Sequence, residues 1–451
     1  MREGDTSPTK RAVTIACNGD VDSAIRAYIQ QFALGERKDL NRPYFAFPYG
    51  LAANESDFAF LADPSQVDLA YEFASIANSV PEFNPAGRWS FTDNQIDGHY
   101  ASWLDFSVSA PIAIDPKERQ RLREARAYCA DHFGTYWTHF SDYYNALDEL
   151  EACESIPIDH RTPDHERMLR GNERRVQHAL LAWEVNGRRS EYERHYTLSE
   201  DLARRDPAFA KRELRQAMGA PTISGRGSFF WTSLIPGDAF ANHSPWSPHE
   251  ITFQPPDISL PTDAPATLSL LSTRGRPVEH TVLGDLPVAG TRIAFEMTRL
   301  VIDRSWFMSL LLSSRNWKWA NSTQDDPTGG DPLSDGQPQP TGKLVMIPRE
   351  ILFIRNKRIE NPALSRRLAA QPTIDRTASL SFGPFGLQPP ACGERHTEPP
   401  EDGTGTEPPP MVTFDLRAPS TVVATHMEYL AFVCELLPRT PDPNWKLWHR
   451  G

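Results

Sequence analysis

Cysteine is scarce and scattered in this chain: Cys17, Cys129, Cys153, Cys392 and Cys434 are odd in number and form no CxxC pair. That spacing argues against a zinc ribbon or a thioredoxin-type site and fits a reducing compartment. No run of residues approaches the roughly 18 consecutive apolar positions of an ordinary transmembrane helix. The amino-terminal stretch MREGDTSPTKRAVTIAC is charged and lacks the apolar core of a secretory signal, so the expected location is the cytoplasm. Also missing are GxxxxGK[ST], a GxGxxG after a strand, the GxSxG elbow and HExxH. His249-Glu250 opens the last of these, but Phe253 stands where its second histidine belongs. No pattern calls for a cofactor. Basic charge is in deficit as well: 47 Lys and Arg against 59 Asp and Glu give a formal net charge of -12. Such a balance repels phosphate backbones, and nucleic acid is not an expected partner.

What the chain does have is length, proline and aromatic surface. With 451 residues it exceeds what one hydrophobic core usually serves, so two domains are expected. Hydrophobic residues make up only 39%, but 11 Trp, 12 Tyr and 23 Phe offer large surfaces to bury. The 40 prolines crowd the later part, as in strands joined by long connections.

Helical patterns dominate the first half. Ile25, Tyr28, Ile29 and Phe32 form one stripe, and Leu69, Phe73, Ile76 and Val80 form another after a cap at Asp63-Pro64. Asp115-Pro116 launches a long helix whose Leu122, Ala125, Cys129, Phe133, Tyr136, Phe140, Tyr143, Leu147 and Leu150 recur by threes and fours. Its expected partner lies within 164–218, where charges nearly balance and read as a salt-bridged surface. Between these patterns, 104–114 reads as a strand, with Leu104, Phe106, Val108, Ala110, Ile112 and Ile114 on alternate positions.

From Gly219 onward, short apolar runs alternate with Gly and Pro, predicting strands near 228–235, 249–254, 266–272, 279–283, 291–302, 343–359, 378–382, 411–417 and 426–437. The expected fold class is therefore α+β, with a helix-rich N-terminal half containing a helical hairpin and a β-sandwich-like C-terminal half. In domain terms, 1–11 is a disordered leader and 12–218 a mainly helical domain with a short strand section and long helices over about 116–218. Residues 219–451 form a β-rich domain with disordered loops at 323–342 and 388–410. The tail tryptophans Trp445 and Trp448 are placed to latch onto the body.

The most apolar window, 291–319, carries the candidate partner-binding residues Arg304, Trp306, Phe307, Arg315, Trp317 and Trp319. Aromatics interspersed with arginine can grip a sugar ring, a choline head group or a partner's side chain; the competing reading is a sandwich core with snorkelling arginines. Exposure of two of these tryptophans is the deciding observation. The basic run Arg355-Asn356-Lys357-Arg358 reads as a solvated turn or as a contact for phosphate or an acidic partner. No metal site is predicted. Asp159, His160, Asp164, His165 and Glu166 match no ligand template, and His132 and His139 lack a Glu-x-x-His on the neighbouring helix.

The functional expectation is a non-enzymatic binding or assembly protein, with a plan that a membrane-active protein could also use: a helical hairpin and a β recognition module. Its expected partner is another protein or a second copy of this chain paired through the 122–150 seam, with a lipid or glycan surface as a further expectation. The alternative is an enzyme whose site is assembled at the boundary of the two halves, for which His243, His249, Asp303 and Arg304 are the groups to test.

Overall fold

The computed structural model describes residues 11–16, 21–34, 42–89, 94–111, 114–154, 161–240, 246–254, 265–272, 279–287, 290–309, 311–329, 332–361, 363–364, 378–388, 412–414 and 421–448. The order begins β1 (Arg11–Ala16), α1 (Val21–Leu34), β2 (Pro43–Ala46), β3 (Ala52–Ala53), α2 (Val67–Ala77), α3 (Ile96–Phe106) and β4 (Ser107–Ser109). Four helices follow: α4 (Pro116–Glu154), α5 (Pro163–Val185), α6 (Arg189–Arg205) and α7 (Pro207–Met218). Strands then take over: β5 (Thr222–Ile223), β6 (Ser228–Phe229), β7 (Ser233–Ile235), β8 (Ser247–Gln254), β9 (Pro265–Ser272), β10 (Glu279–Pro287), β11 (Arg292–Asp303), β12 (Trp317–Trp319) and β13 (Met346–Glu360). The series closes with β14 (Ala378–Phe382), β15 (Phe385–Gln388), β16 (Val412–Phe414), β17 (Thr421–Ala424) and β18 (Met427–Leu436). The architecture is α+β, with helices mainly in the N-terminal half and a large antiparallel sheet in the C-terminal half.

That sheet has ten strands along the path β1-β8-β11-β13-β17-β16, with β18 joining β13, β2 and β3, and β7 joining β11. Only the β1–β8 pair among these is parallel. First-half strands thus hydrogen-bond into the late sheet, although the switch from helix to strand does fall at Gly219. Strands β13 and β18 are covered on both faces, which explains their apolar runs Ile351–Ile354 and Tyr429–Cys434. In β13, Ile351 and Phe353 enter one core while Leu352 and Ile354 enter the other. The first core gathers α2, α3, α7 and the loops after β11; the second gathers α1 and the hairpin β14–β15. β14 and β15 belong to a separate four-stranded sheet, β10-β9-β14-β15, so sandwich-like packing of two sheets is confined to this face.

The structure corrects several sequence expectations. The expected strand 104–114 is not continuous: Ile96, Tyr100, Trp103 and Leu104 recur at helical spacing and are buried, and among the described residues of the stretch the strand is Ser107–Ser109. Their even-position pattern came from the end of a helix running into a short edge strand, and Phe106 and Val108 point outward. Strand β1 begins at Arg11, inside the expected leader; residues 1–10 lie outside the described ones. Asp63 caps a turn, accepting the Ser65 N–H at 3.0 Å, and α2 starts only at Val67. Within the described residues of 323–342, Leu333 and Ser334 are buried, and the Asp335 carboxylate accepts the N–H groups of Gln337 and Thr341 at 3.0 and 3.1 Å. The other expected loop lies, from residue 389, outside the described residues.

The expected helical hairpin is α4 against α5, with α6 as a third member. Tyr136, Phe140, Trp183 and Tyr192 form a core of their own there, Tyr136 stacking on Tyr192 at 4.1 Å between ring centroids. The aromatic seam of α4 is therefore filled within the chain. Only the base of α4, at Leu122, enters the first main core.

Candidate functional site

The six residues of the tryptophan-bearing window do not form a surface patch. Trp306, Trp317 and Trp319 retain 4, 1 and 9% of their exposure. The first two spend their indole N–H groups internally, on the carbonyls of Trp231 (2.9 Å) and Leu312 (3.0 Å). Phe307 is half-buried beside Tyr100, 4.9 Å between ring centroids. Arg304 is an internal brace. Its guanidinium donates to Asn78 Oδ1 (2.6 Å), the Pro348 carbonyl (2.7 Å) and the Ala77 carbonyl (2.6 Å). It thereby satisfies the carboxyl end of α2 and ties it to β13. Burial lowers its pKa from the usual guanidinium range to about 9, with Arg349 adding to the depression. Arg315 is exposed and pairs with Asp442 at 2.9 Å.

One of the six lines a cleft. Strand β12 pairs with β4 in the register Trp317↔Ser109, Lys318↔Val108 and Trp319↔Ser107. The pleat sends Trp317 and Trp319 to the same side and Lys318 to the other. Beside Trp319 opens a cleft of about 370 Å³ lined by His99, Ser102, Phe106, Trp319, Ala320, Asn321, Leu333 and Lys343. His99, Ser102 and Phe106 are spaced by three and four, one face of α3, while Tyr100, Trp103 and Leu104 bury the opposite face. Phe106 stands at the rim with 69% of its surface exposed.

The cleft's walls are fastened from behind. Lys211 and Arg215 of α7 donate to the carbonyls of Ser107 and Leu104, capping the carboxyl end of α3 with cations where the helix dipole favours them. Burial, with Arg215 nearby, lowers the Lys211 pKa to about 8. Asn321 donates to the Gly329 carbonyl at 2.8 Å, and Gly329 adopts φ +60°, where an added Cβ would come within 2.6 Å of Asn321 Oδ1. Leu333 is held by the Thr440 carbonyl at 2.9 Å. Apolar walls with a few polar groups, in a volume within the usual range for small-ligand sites, are the physical requirements for holding a ligand. Lys343 carries the single formal charge among the lining residues when His99 is neutral.

The groups named for the enzyme alternative are not brought together. His249 is opposite Phe295 in the sheet, whereas Asp303 is eight residues along the same strand. At strand spacing that is about 27 Å. His249 is wholly buried among Tyr28, Phe32 and Phe295, its ring nitrogens 3.1 Å from Tyr28 Oη and 2.9 Å from Ser247 Oγ. Asp303 accepts the Ser233 hydroxyl at 3.3 Å, and burial raises its pKa. His243 lies outside the described residues, as do Asp159 and His160. His165 serves the amino-terminal cap of α5 with Thr162, and His132 stacks on Tyr128 at 4.2 Å. Among the described residues, no group of three or more His, Cys, Asp or Glu is arranged to hold a metal ion.

Sequence reasoning missed a second cluster. The basic run 355–358 is not a turn but lies within β13, toward its carboxyl end, and Lys357 is its buried member. Lys357 Nζ lies 3.2 Å from Glu428 Oε2 and 3.1 Å from His426 Nε2, and Glu428 also accepts the Gly386 N–H at 2.9 Å. Burial depresses the pKa of both Lys357 and His426, against the pull of Glu428. Arg355 is spent on Glu296 (2.7 Å) and Glu55 (2.9 Å), over the Trp246 ring at 4.1 Å. The cluster is sealed beneath the β14–β15 hairpin and bears on stability. Composition alone does not distinguish the single lysine of this run, Lys357, from its arginine neighbours; alternation along the strand expected over 343–359 was the one available signal.

No known family profile, curated protein or solved structure matches this chain. No helix among the described residues is long and apolar enough to cross a membrane.

Proposed function

We propose that this chain is a non-enzymatic binding protein and that its ligand-contacting surface is the cleft between α3 and the segment following β12. The observation that carries this reading is the meeting of an exposed Phe106 ring, the Trp319 indole and the Lys343 ammonium around one 370 Å³ space. Aromatic and aliphatic walls favour a flat apolar body, and a single cation favours an acidic group on it. The ligand class that fits is a small planar molecule carrying a carboxylate, sulfonate or phosphate.

Naphthalene-2-sulfonate is a suitable probe. Calorimetric titration of the full chain should show saturable binding at one site. A charge-assisted contact contributes about 1.5–3 kcal/mol, so Lys343→Ala should weaken that binding at least about tenfold. Phe106→Ala should weaken it too, with little effect on the melting temperature because the ring is exposed. Absence of saturable binding by the native chain, or unchanged affinity in both variants, would refute the assignment.

A further inference from the structure

We propose that Trp445 and Trp448 form a cage for a cation, occupied in this state by the chain's own Lys318, and that the external ligand it accepts is a trimethylammonium group such as that of choline. This site stands on the face of β12 opposite the cleft and does not depend on the reading of the cleft. The pleat that turns Trp317 and Trp319 inward turns Lys318 outward. There its Nζ lies 5.1 Å from the centroid of the Trp445 ring and 5.1 Å from that of Trp448. Both indoles are half-buried, so their faces are shielded without being sealed. Tryptophan provides the strongest aromatic attraction for a cation at this range.

The rest of the site is built without Lys318. Asn444 donates its N–H to the Arg315 carbonyl at 2.9 Å, and its side chain accepts the Lys446 N–H, starting the turn Trp445–Leu447. Arg315 Nε adds an ion pair to Asp442 Oδ2 at 2.9 Å. These contacts present the two rings whether or not an ammonium lies between them.

The chemistry of the enclosure selects the ligand. Among the described residues no carboxylate pairs with Lys318, whose ammonium has only the Ser322 carbonyl, at 3.3 Å, besides the two rings. A primary ammonium is strongly hydrated and gives up water reluctantly. A quaternary ammonium is weakly hydrated and has no N–H to satisfy, so rings alone can serve it. The Trp448 indole N–H is buried and has no acceptor among the described residues. The hydroxyl of choline or the phosphate of phosphocholine would supply one. Lys318, tethered in place, competes at high effective concentration and sets the threshold an external ligand must exceed.

The test removes that competitor. Lys318→Ala and the longer, uncharged Lys318→Gln are made in the full chain, and each is titrated with choline by calorimetry and tryptophan fluorescence. Both variants should bind choline saturably and at least tenfold more tightly than the native chain, and Trp445→Ala in the Lys318→Ala background should abolish the gain. The neutral isostere 3,3-dimethyl-1-butanol should not bind. Vesicles of phosphatidylcholine and of phosphatidylglycerol distinguish the sources of the ligand. Selective co-sedimentation of the variants with phosphatidylcholine assigns a lipid head group, and choline binding without co-sedimentation assigns a free small cation. If neither variant, with native circular dichroism, binds choline saturably, or if the neutral isostere binds equally well, the cage assignment is overturned.

Discussion

Lys357 Nζ and Glu428 Oε2 stand 3.2 Å apart with both side chains wholly withdrawn from solvent. Desolvation of two charges is repaid only when the geometry is complete, and here the Gly386 N–H and the His426 ring complete it. Replacing Lys357 by Met leaves the buried Glu428 carboxylate without its counter-charge, a loss of about 3–5 kcal/mol. The double variant Lys357→Met/Glu428→Gln should recover most of it, because the amide oxygen still accepts from Gly386. Urea denaturation of native, single and double variants measures this directly; a single variant as stable as the native chain would show that the pair contributes nothing. Gly386→Ala should be destabilising in its own right, since a Cβ there would meet the Glu428 carboxylate and lie 2.9 Å from Gly50 Cα.

Arg304 is the second internal cation, and its three acceptors are fixed in a fork that only a guanidinium spans. Arg304→Met strands two carbonyls and an amide oxygen, each costing about 1–3 kcal/mol when buried unpaired. Arg304→Lys should restore less than half of the lost urea midpoint, because one ammonium cannot reach all three. Full rescue by lysine would mean that charge, not fork geometry, is what α2 requires.

Lys211 links the cleft to pH. Its folded pKa is depressed to about 8 from an ordinary 10.5. Between those values the unfolded chain binds the extra proton, so this group's contribution to stability rises with pH from about 8 to about 10.5 and is least favourable below 8. Tyrosines held above their ordinary range act in the opposite sense above pH 10, so the quantity to follow is the difference between the native chain and Lys211→Met. That difference should change across pH 8–10 and be flat from 6 to 7.5. A difference that stays constant to pH 10 would place the Lys211 pKa near its ordinary value.

How much of this was legible beforehand depended on whether one periodicity governed a segment. Strand β11 was visible from the alternation of Ile293, Phe295 and Met297, and β18 as an apolar run because both of its faces are buried: Leu430, Ala431 and Val433 enter one core, Tyr429, Phe432 and Cys434 the other. The segment around Leu104 was misread because helix and strand meet at Phe106–Ser107, and a few alternating apolar residues cannot distinguish the two. The cleft was less legible still. His99 and Ser102 are unremarkable polar residues until α3 places them on one face with Phe106; Leu333 comes from a stretch expected to be disordered, and Asn321 and Lys343 stand just outside its two ends. Lys357 looked solvated because its neighbours are arginines, and only its place on β13 turns it inward.

The α4–α6 arm has a core separate from the main sheet, and a single residue unites it. Trp183 packs edge-on against Tyr136 and Phe140 at 5.7 and 5.3 Å, stacks on Tyr143 at 5.4 Å, and takes the Arg189 guanidinium over its ring at 4.1 Å. The turn to α6 is fitted to the same ring: a Cβ on Gly187 would approach the Trp183 carbonyl to 2.6 Å. Removing a buried tryptophan of this kind costs about 3–5 kcal/mol. Because the cluster of Tyr136, Phe140, Trp183 and Tyr192 is distinct from the two sheet cores, that loss should be local. In Trp183→Ala, hydrogen exchange should therefore quicken across 130–150 and 170–200 while the amides of β13 and β18 keep their protection. Uniform acceleration throughout the chain would show instead that the arm and the sheet unfold as one unit, and that the aromatic core of the arm stabilises the whole protein.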